Sequence, residues 1–121
     1  MTDARRTLGQ RGEAIARDHL LRKGYTLLAQ NWRCPLGELD LVMRQGGTVV
    51  IVEVRTRRAG TEAGFASVDA RKQAKLARLA QAFMSARELD DAPCRVDVVA
   101  VRFNADGLHG TLSHAEDVLE W

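Results

Sequence analysis

Apolar and charged positions alternate along Glu38 to Gln45 and again along Thr48 to Arg57, and both segments are rich in Val, Ile and Leu. That period of two predicts a pair of β-strands. Only Gly46-Gly47 separates them. If these glycines are the two central residues of a tight turn, which needs positive φ, Gln45 stands opposite Thr48. The same register puts Asp40 opposite Glu53, with Cβ atoms roughly 4.5–5.5 Å apart, and Glu38 opposite Arg55 on the same side. A four-residue loop preserves this arrangement. A three-residue loop sends the two carboxylates to opposite faces.

The flanking pattern supplies the rest of the fold. Helical spacing runs from about Leu8 to Lys23 and stops at Gly24, a residue suited to a left-handed C-terminal cap. Tyr25 to Arg33 reads as an opening strand, and Pro35-Leu36-Gly37 as the turn into the Asp40 strand. Ala59 to Ala66 has two glycines and no steady period, so it reads as a loop. Ser67 offers an N-cap, Asp69 suits the positive end of a helix, and Val68 to about Glu88 is rich in Ala, Leu, Arg and Lys. Arg95 to Phe103 predicts a strand, Asn104 to Gly107 a turn, and Leu108 to His114 a last strand. A helix between the hairpin and the Arg95 strand permits a parallel crossover. The predicted class is α/β: one domain over residues 1–121, with a mixed central sheet flanked by helices.

Opposed carboxylates destabilise a sheet, and a strand of Val and Ile gives them little water. A divalent cation on Asp40 and Glu53 offsets that cost, since Mg²⁺ takes oxygen ligands and completes its shell with water and phosphate. The plainer alternative pairs Glu53 with Arg55 or Arg57 at a solvated edge. Glu13 shares a helix face with Ala16 and Leu20, an inward placement that suits either a site acid or a partner for a backbone group or an arginine. On the later helix Gln73 aligns with Leu76, Ala80 and Phe83, while Arg71, Lys75 and Arg78 form a separate basic row. Asp97, within an apolar strand, suits an acid supporting the site from behind, but a structural pairing with a nearby arginine is the stronger expectation. His19 reads as a partly buried helix residue, and His109 and His114 share no metal-ligand spacing with the acids.

Composition narrows the setting. With 45% apolar and 28% charged residues in 121, the chain suits one soluble domain. Its longest apolar runs fall far short of the roughly 20 residues a membrane helix needs, and its N-terminus has no hydrophobic signal core, so the expectation is a cytoplasmic protein without a membrane partner. Cys34 and Cys94 lack zinc spacing and read as reduced thiols. The net charge is only +2, but Arg5–Arg33 and Arg55–Arg78 each hold seven basic and two acidic residues, whereas Arg87–Trp121 holds three and eight. Two positive segments thus flank the acids. Such a field attracts a polyanion, with Arg57, Arg58, Arg71 and Lys75 as candidate phosphate contacts, although solvated helix faces give the same pattern.

The run RRTLGQRGEAIARDHLLRKGYTLLAQNWRCPLGELDLVMRQGGTVVIVEVRTRR, continued by KQAKLARLAQAFM and CRVDVVAV, resembles the YraN-like family of small bacterial proteins. Those are regarded as nucleases of the restriction-endonuclease-like PD-(D/E)xK superfamily, related to Holliday junction resolvases. The resemblance implies a restriction-endonuclease-like fold. It also implies a Mg²⁺- or Mn²⁺-dependent endonuclease acting on DNA, and the relation to junction resolvases extends that expectation to branched DNA and a homodimer. Its pattern puts the first-helix acid at Glu13, the motif aspartate at Asp40, the motif glutamate at Glu53, the motif basic residue at Arg55 and a helical glutamine at Gln73. The superfamily usually has Lys at the Arg55 position. Arginine stays charged and cannot act as a general base, so a catalytically inactive nucleic-acid-binding module is the alternative. A protein-interaction domain without nucleic-acid affinity is a third.

Overall fold

The computed structural model describes residues 7–59 and 69–119. Most of the expected 59–66 loop, Ser67, Val68 and Trp121 lie outside those residues.

Helix α1, Leu8–Arg22, starts at Thr7, whose side chain accepts the Gln10 N–H while the Gln10 side chain takes the Thr7 N–H. Two orphan donors are thereby satisfied. Gly24, at φ 95°, ends it as expected: the Gly24 and Tyr25 N–H groups return to the carbonyls of Leu21 and Leu20. Strands β1 (Thr26–Cys34), β2 (Gly37–Gln45) and β3 (Thr48–Arg58) form an antiparallel meander. Helix α2, Ala70–Ala86, then crosses over to β4, Cys94–Phe103, parallel to β3, and β5, Gly110–Ala115, pairs antiparallel with β4. The result is one mixed five-stranded sheet in the order β1-β2-β3-β4-β5.

The β2–β3 register is the one the Gly-Gly turn predicts, with Gln45 opposite Thr48 and Leu41 opposite Val52. Of the two turn glycines only Gly46, at φ 58°, has positive φ. A type II′ turn needs it at just the first central residue. The start of α2 differs from expectation: Asp69, extended at φ −72° and ψ 169°, is the cap, and its carboxylate accepts the Lys72 N–H at 2.8 Å. A carboxylate there satisfies a donor and suits the helix dipole.

The helices cover opposite faces. Ala16 and Leu20 of α1 pack with Leu41, Met43, Val50, Val52, Val99 and Phe103. Leu76, Leu79, Ala80 and Phe83 of α2 pack with Leu39, Val42, Val49, Ile51 and Val96. Val49 to Val52 is therefore buried without a break, as a central strand covered on both sides must be. Trp32 packs edge-on against Phe83, ring centroids 5.3 Å apart. Gly12 is where α1 meets β3: a Cβ there would lie 2.1 Å from Thr56 Oγ1.

One irregularity sets up the acids. Leu39 and Leu41 are two residues apart and should share a face, yet Leu39 joins the α2 cluster and Leu41 the α1 cluster. Across from them Gln30 and Asn31 are adjacent, yet both reach α1, bonding Arg17 and Glu13. Asn31 has φ 52°. β1 and β2 thus turn over together, with Asp40 at the reversal.

Candidate active site

Asp40 takes an unusual place at the end of its ladder. β2–β3 pairing closes at Leu41 and Val52, one step short of the acids. Beyond it, Asp40 Oδ2 accepts the Val54 N–H at 2.8 Å. The β2–β3 pairing thus stops before the expected rungs of Asp40 with Glu53 and of Glu38 with Arg55; on its other side Glu38 pairs with Arg33 of β1, with 3.5 Å between Oε2 and Nε.

The two carboxylates still share one space. A cleft of about 270 Å³ is lined by Glu38, Asp40, Glu53, Lys72, Lys75, Leu76 and Leu79. Burial pushes Asp40 up to about 7; the neighbouring Glu53 charge adds to this, as do Glu13 and Glu38, against the opposing Val54 hydrogen bond. A carboxyl of this kind holds its proton unless positive charge arrives. Glu53 has such a partner. Its Oε1 lies 2.9 Å from Lys72 Nζ, and its side chain is only 13% exposed.

Lys72 is the residue that sequence reasoning passed over. Its signal was present: Lys72, Leu76 and Leu79 fall at helical spacing on one face, and only three lysines occur among eighteen basic residues. Lys75 also lines the cleft, while Arg71 and Arg78, exposed like it, do not. The stripe through Leu76, Ala80 and Phe83 is buried as drawn, and Gln73 is half-buried at its N-terminal end.

The other candidates surround this centre. Glu13 is outside the cleft lining, and its Oε1 accepts Asn31 Nδ2 at 2.9 Å. Its charge nevertheless acts on Asp40. Arg55 and Gln73 are half-buried and also outside that lining. Arg57 Nη1 donates to the Thr56 carbonyl at 2.8 Å, and the Arg58 guanidinium lies over Gly107 in the β4–β5 turn.

Asp97 is held structurally, as expected. It is fully buried and receives Arg95 Nε at 3.0 Å and the Asp117 N–H at 2.9 Å, with His114 Nε2 2.8 Å away. Arg95 also reaches Tyr25 Oη and Glu116. His19 is half-buried, and burial lowers its pKa first, followed by Lys23 and His114. Cys34 and Cys94 are free thiols, and burial raises Cys94 to about 11.

The donor set can be tested against a metal. Among the described residues no group of three or more His, Cys, Asp and Glu side chains is arranged to hold an ion, which argues against a closed cage such as structural zinc. A magnesium-type ion needs less, because it is held by one or two carboxylates plus waters and phosphate. Asp40 and Glu53 each commit one oxygen to the protein, Oδ2 to Val54 and Oε1 to Lys72. Their Oδ1 and Oε2 atoms are suitable hard donors. The pair fits such an ion.

Fold and site together define a single-domain α/β protein whose mixed sheet, flanked by two helices, carries an acid pair beside two lysines. The chain belongs to UPF0102, described as an uncharacterised protein family, whose model matches residues 12–101. UPF0102 proteins from Roseiflexus castenholzii (42% identical; 99% of this chain, 98% of theirs) and Moorella thermoacetica (49% identical; 84% and 85%) are among its relatives. The UPF0102 protein of Pseudomonas savastanoi pv. phaseolicola is 50% identical over 81% of each chain. The structure of Pyrococcus furiosus SfsA in complex with Ca²⁺ aligns over 90% of this chain and 62% of its own, with 15% identity and a TM-score of 0.38. Among the described residues no helix is long and apolar enough to cross a membrane.

Proposed function

We propose that this protein is a metal-dependent endonuclease of the restriction-endonuclease-like PD-(D/E)xK type, hydrolysing phosphodiester bonds in cytoplasmic DNA. The observation that carries this reading is the meeting of Asp40 and Glu53 in one cleft, with Asp40 raised to about 7 by burial and by Glu53. Asp40 and Glu53 would hold Mg²⁺ or Mn²⁺. Such an ion, when bound, acidifies water and stabilises charge on a phosphate.

The chain's own groups supply position and field. The Val54 N–H fixes the Asp40 carboxylate, and Lys72 orients Glu53. Glu13, tied to Asn31, adds negative charge behind Asp40. Arg55 follows Glu53 by two residues on β3 and would neutralise charge developing on the phosphate. Gln73 would hydrogen-bond a phosphate oxygen or water. Arg57, Arg58, Arg71 and Lys75 would contact the backbone of the polyanion. Branched DNA and a two-fold homodimer follow only from the resemblance to junction resolvases.

Arg55 in place of lysine favours a second reading, a binding module that retains the architecture without turnover. Incubation with supercoiled plasmid and a four-way junction, in Mn²⁺ or in EDTA, separates the two. The nuclease reading expects cutting in Mn²⁺ that EDTA, Asp40→Ala and Glu53→Ala each abolish. Salt-sensitive DNA retention with no cutting assigns the binding module instead. Neither cutting nor retention overturns both.

A further inference from the structure

Lys72 is oddly placed for a structural cation. It lies in the first turn of α2, where the helix dipole is positive and no acidic residue stands among the first turn's helical positions. A positive charge there costs the helix stability. The Asp69 cap faces the Lys72 backbone N–H, while the Lys72 ammonium reaches the sheet and sits 2.9 Å from Glu53 Oε1. What it serves is the cleft.

Its charge does not finish that task. One ammonium answers one carboxylate, and Asp40, lining the same cleft, takes a neutral donor, the Val54 N–H. Two acids with one monovalent partner present a deficit that a divalent ion would fill. The partner is also easily released. Lys72 is 46% exposed, on a flexible stem whose strongly hydrated head returns to water at little cost, and ion pairs of that exposure are weak.

We infer that Lys72 is a displaceable internal cation: it occupies Glu53 while the cleft holds no divalent ion and competes with an entering ion for that carboxylate, so that it sets the cleft's affinity for divalent ions. The inference rests on the proposed reading of Asp40 and Glu53 as cation ligands. Lys72 is here a positioning residue. After displacement its stem keeps the ammonium at the rim, beside whatever anion accompanies the ion.

The test is Mn²⁺ uptake by the full chain without DNA, read from the paramagnetic resonance signal of free Mn²⁺ at pH 8 and low salt. Lys72→Met, of similar length and apolar bulk, is expected to bind Mn²⁺ about tenfold more tightly than the wild type, because a positive charge next to the ion has gone. Lys72→Arg, which keeps the charge and grips a carboxylate with two donors, is expected to bind no more tightly than wild type. Lys75→Met changes net charge equally in the same cleft, where Lys75 lies against Gly37, and is expected to gain much less. Equal affinity in wild type and Lys72→Met overturns the inference and leaves the acid pair as ligands. An equal gain in Lys75→Met also overturns it, by reducing the effect to general charge. If folded wild type and folded Lys72→Met both take up no Mn²⁺, the cation reading of Asp40 and Glu53 fails, and the inference with it.

Discussion

Asp40 Oδ2 accepts the Val54 N–H at 2.8 Å, where the next rungs of the β2–β3 ladder would have formed. A side chain thus replaces a main-chain pairing at the point where the protein carries its acids. That exchange keeps a buried donor satisfied and fixes the carboxylate at the same time.

The pH dependence of stability follows from this group. Asp40 rises from 3.8 to about 7 on folding, chiefly through burial and then through Glu53. Between those values the folded chain keeps a proton that the unfolded chain has released. Stability from this group is therefore complete below about pH 4 and lost as pH rises through 7. Asp40→Asn retains an oxygen for Val54 and never charges. Without divalent ions it should match wild type near pH 4 and exceed it by roughly 2–4 kcal/mol at pH 8. Urea titrations across that range check this, and parallel stability curves would refute it.

The α1–β3 contact has its own test. A Cβ on Gly12 would come 2.1 Å from Thr56 Oγ1, with no room for both. Gly12→Ala should cost about 1–3 kcal/mol through overpacking, despite alanine's better helix propensity. Adding Thr56→Ala should restore most of the loss. A double-mutant cycle on thermal unfolding reads the coupling, and simple additivity would show that the helix lifts freely.

Asp97 anchors the opposite part of the sheet. Its removal leaves Arg95, His114 and the Asp117 N–H without their shared acceptor. Asp97→Ala should cost about 3–5 kcal/mol, the range for breaking a buried charged pair from one side. Denaturant unfolding measures it. A cost below about 1 kcal/mol would mean that the network rearranges around the gap.

The sequence made the hairpin and the crossover legible because each depends on a repeating pattern or a forced turn. Gly46-Gly47 leaves few ways to join its strands, so the pairing of Gln45 with Thr48 followed directly. The reversal at Asn31 and Asp40 did not follow. Alternation assumes an unbroken pleat, and one residue at φ 52° interrupts it without leaving any periodic trace. Lys72 was hidden because Leu76 completes a helical stripe with Gln73 and Ala80 as readily as with Lys72 and Leu79; Leu76, Leu79 and Ala80 all pack in the core, and Lys72 lines the cleft. Asp97 with an arginine was legible because a charge inside an apolar strand has few other ways to be buried.

The position of β3 has a mechanical consequence. It is bonded along both edges, to β2 and β4, and covered by a helix on each side. Glu53 comes one residue after the doubly paired stretch, opposite Val98 of β4, and behaves as a fixed anvil. Lys72 projects from the opening turn of a helix, and Asp40 sits where a strand rolls over. Any adjustment to an incoming ligand falls to those two, so the cleft is a vice with one immovable jaw.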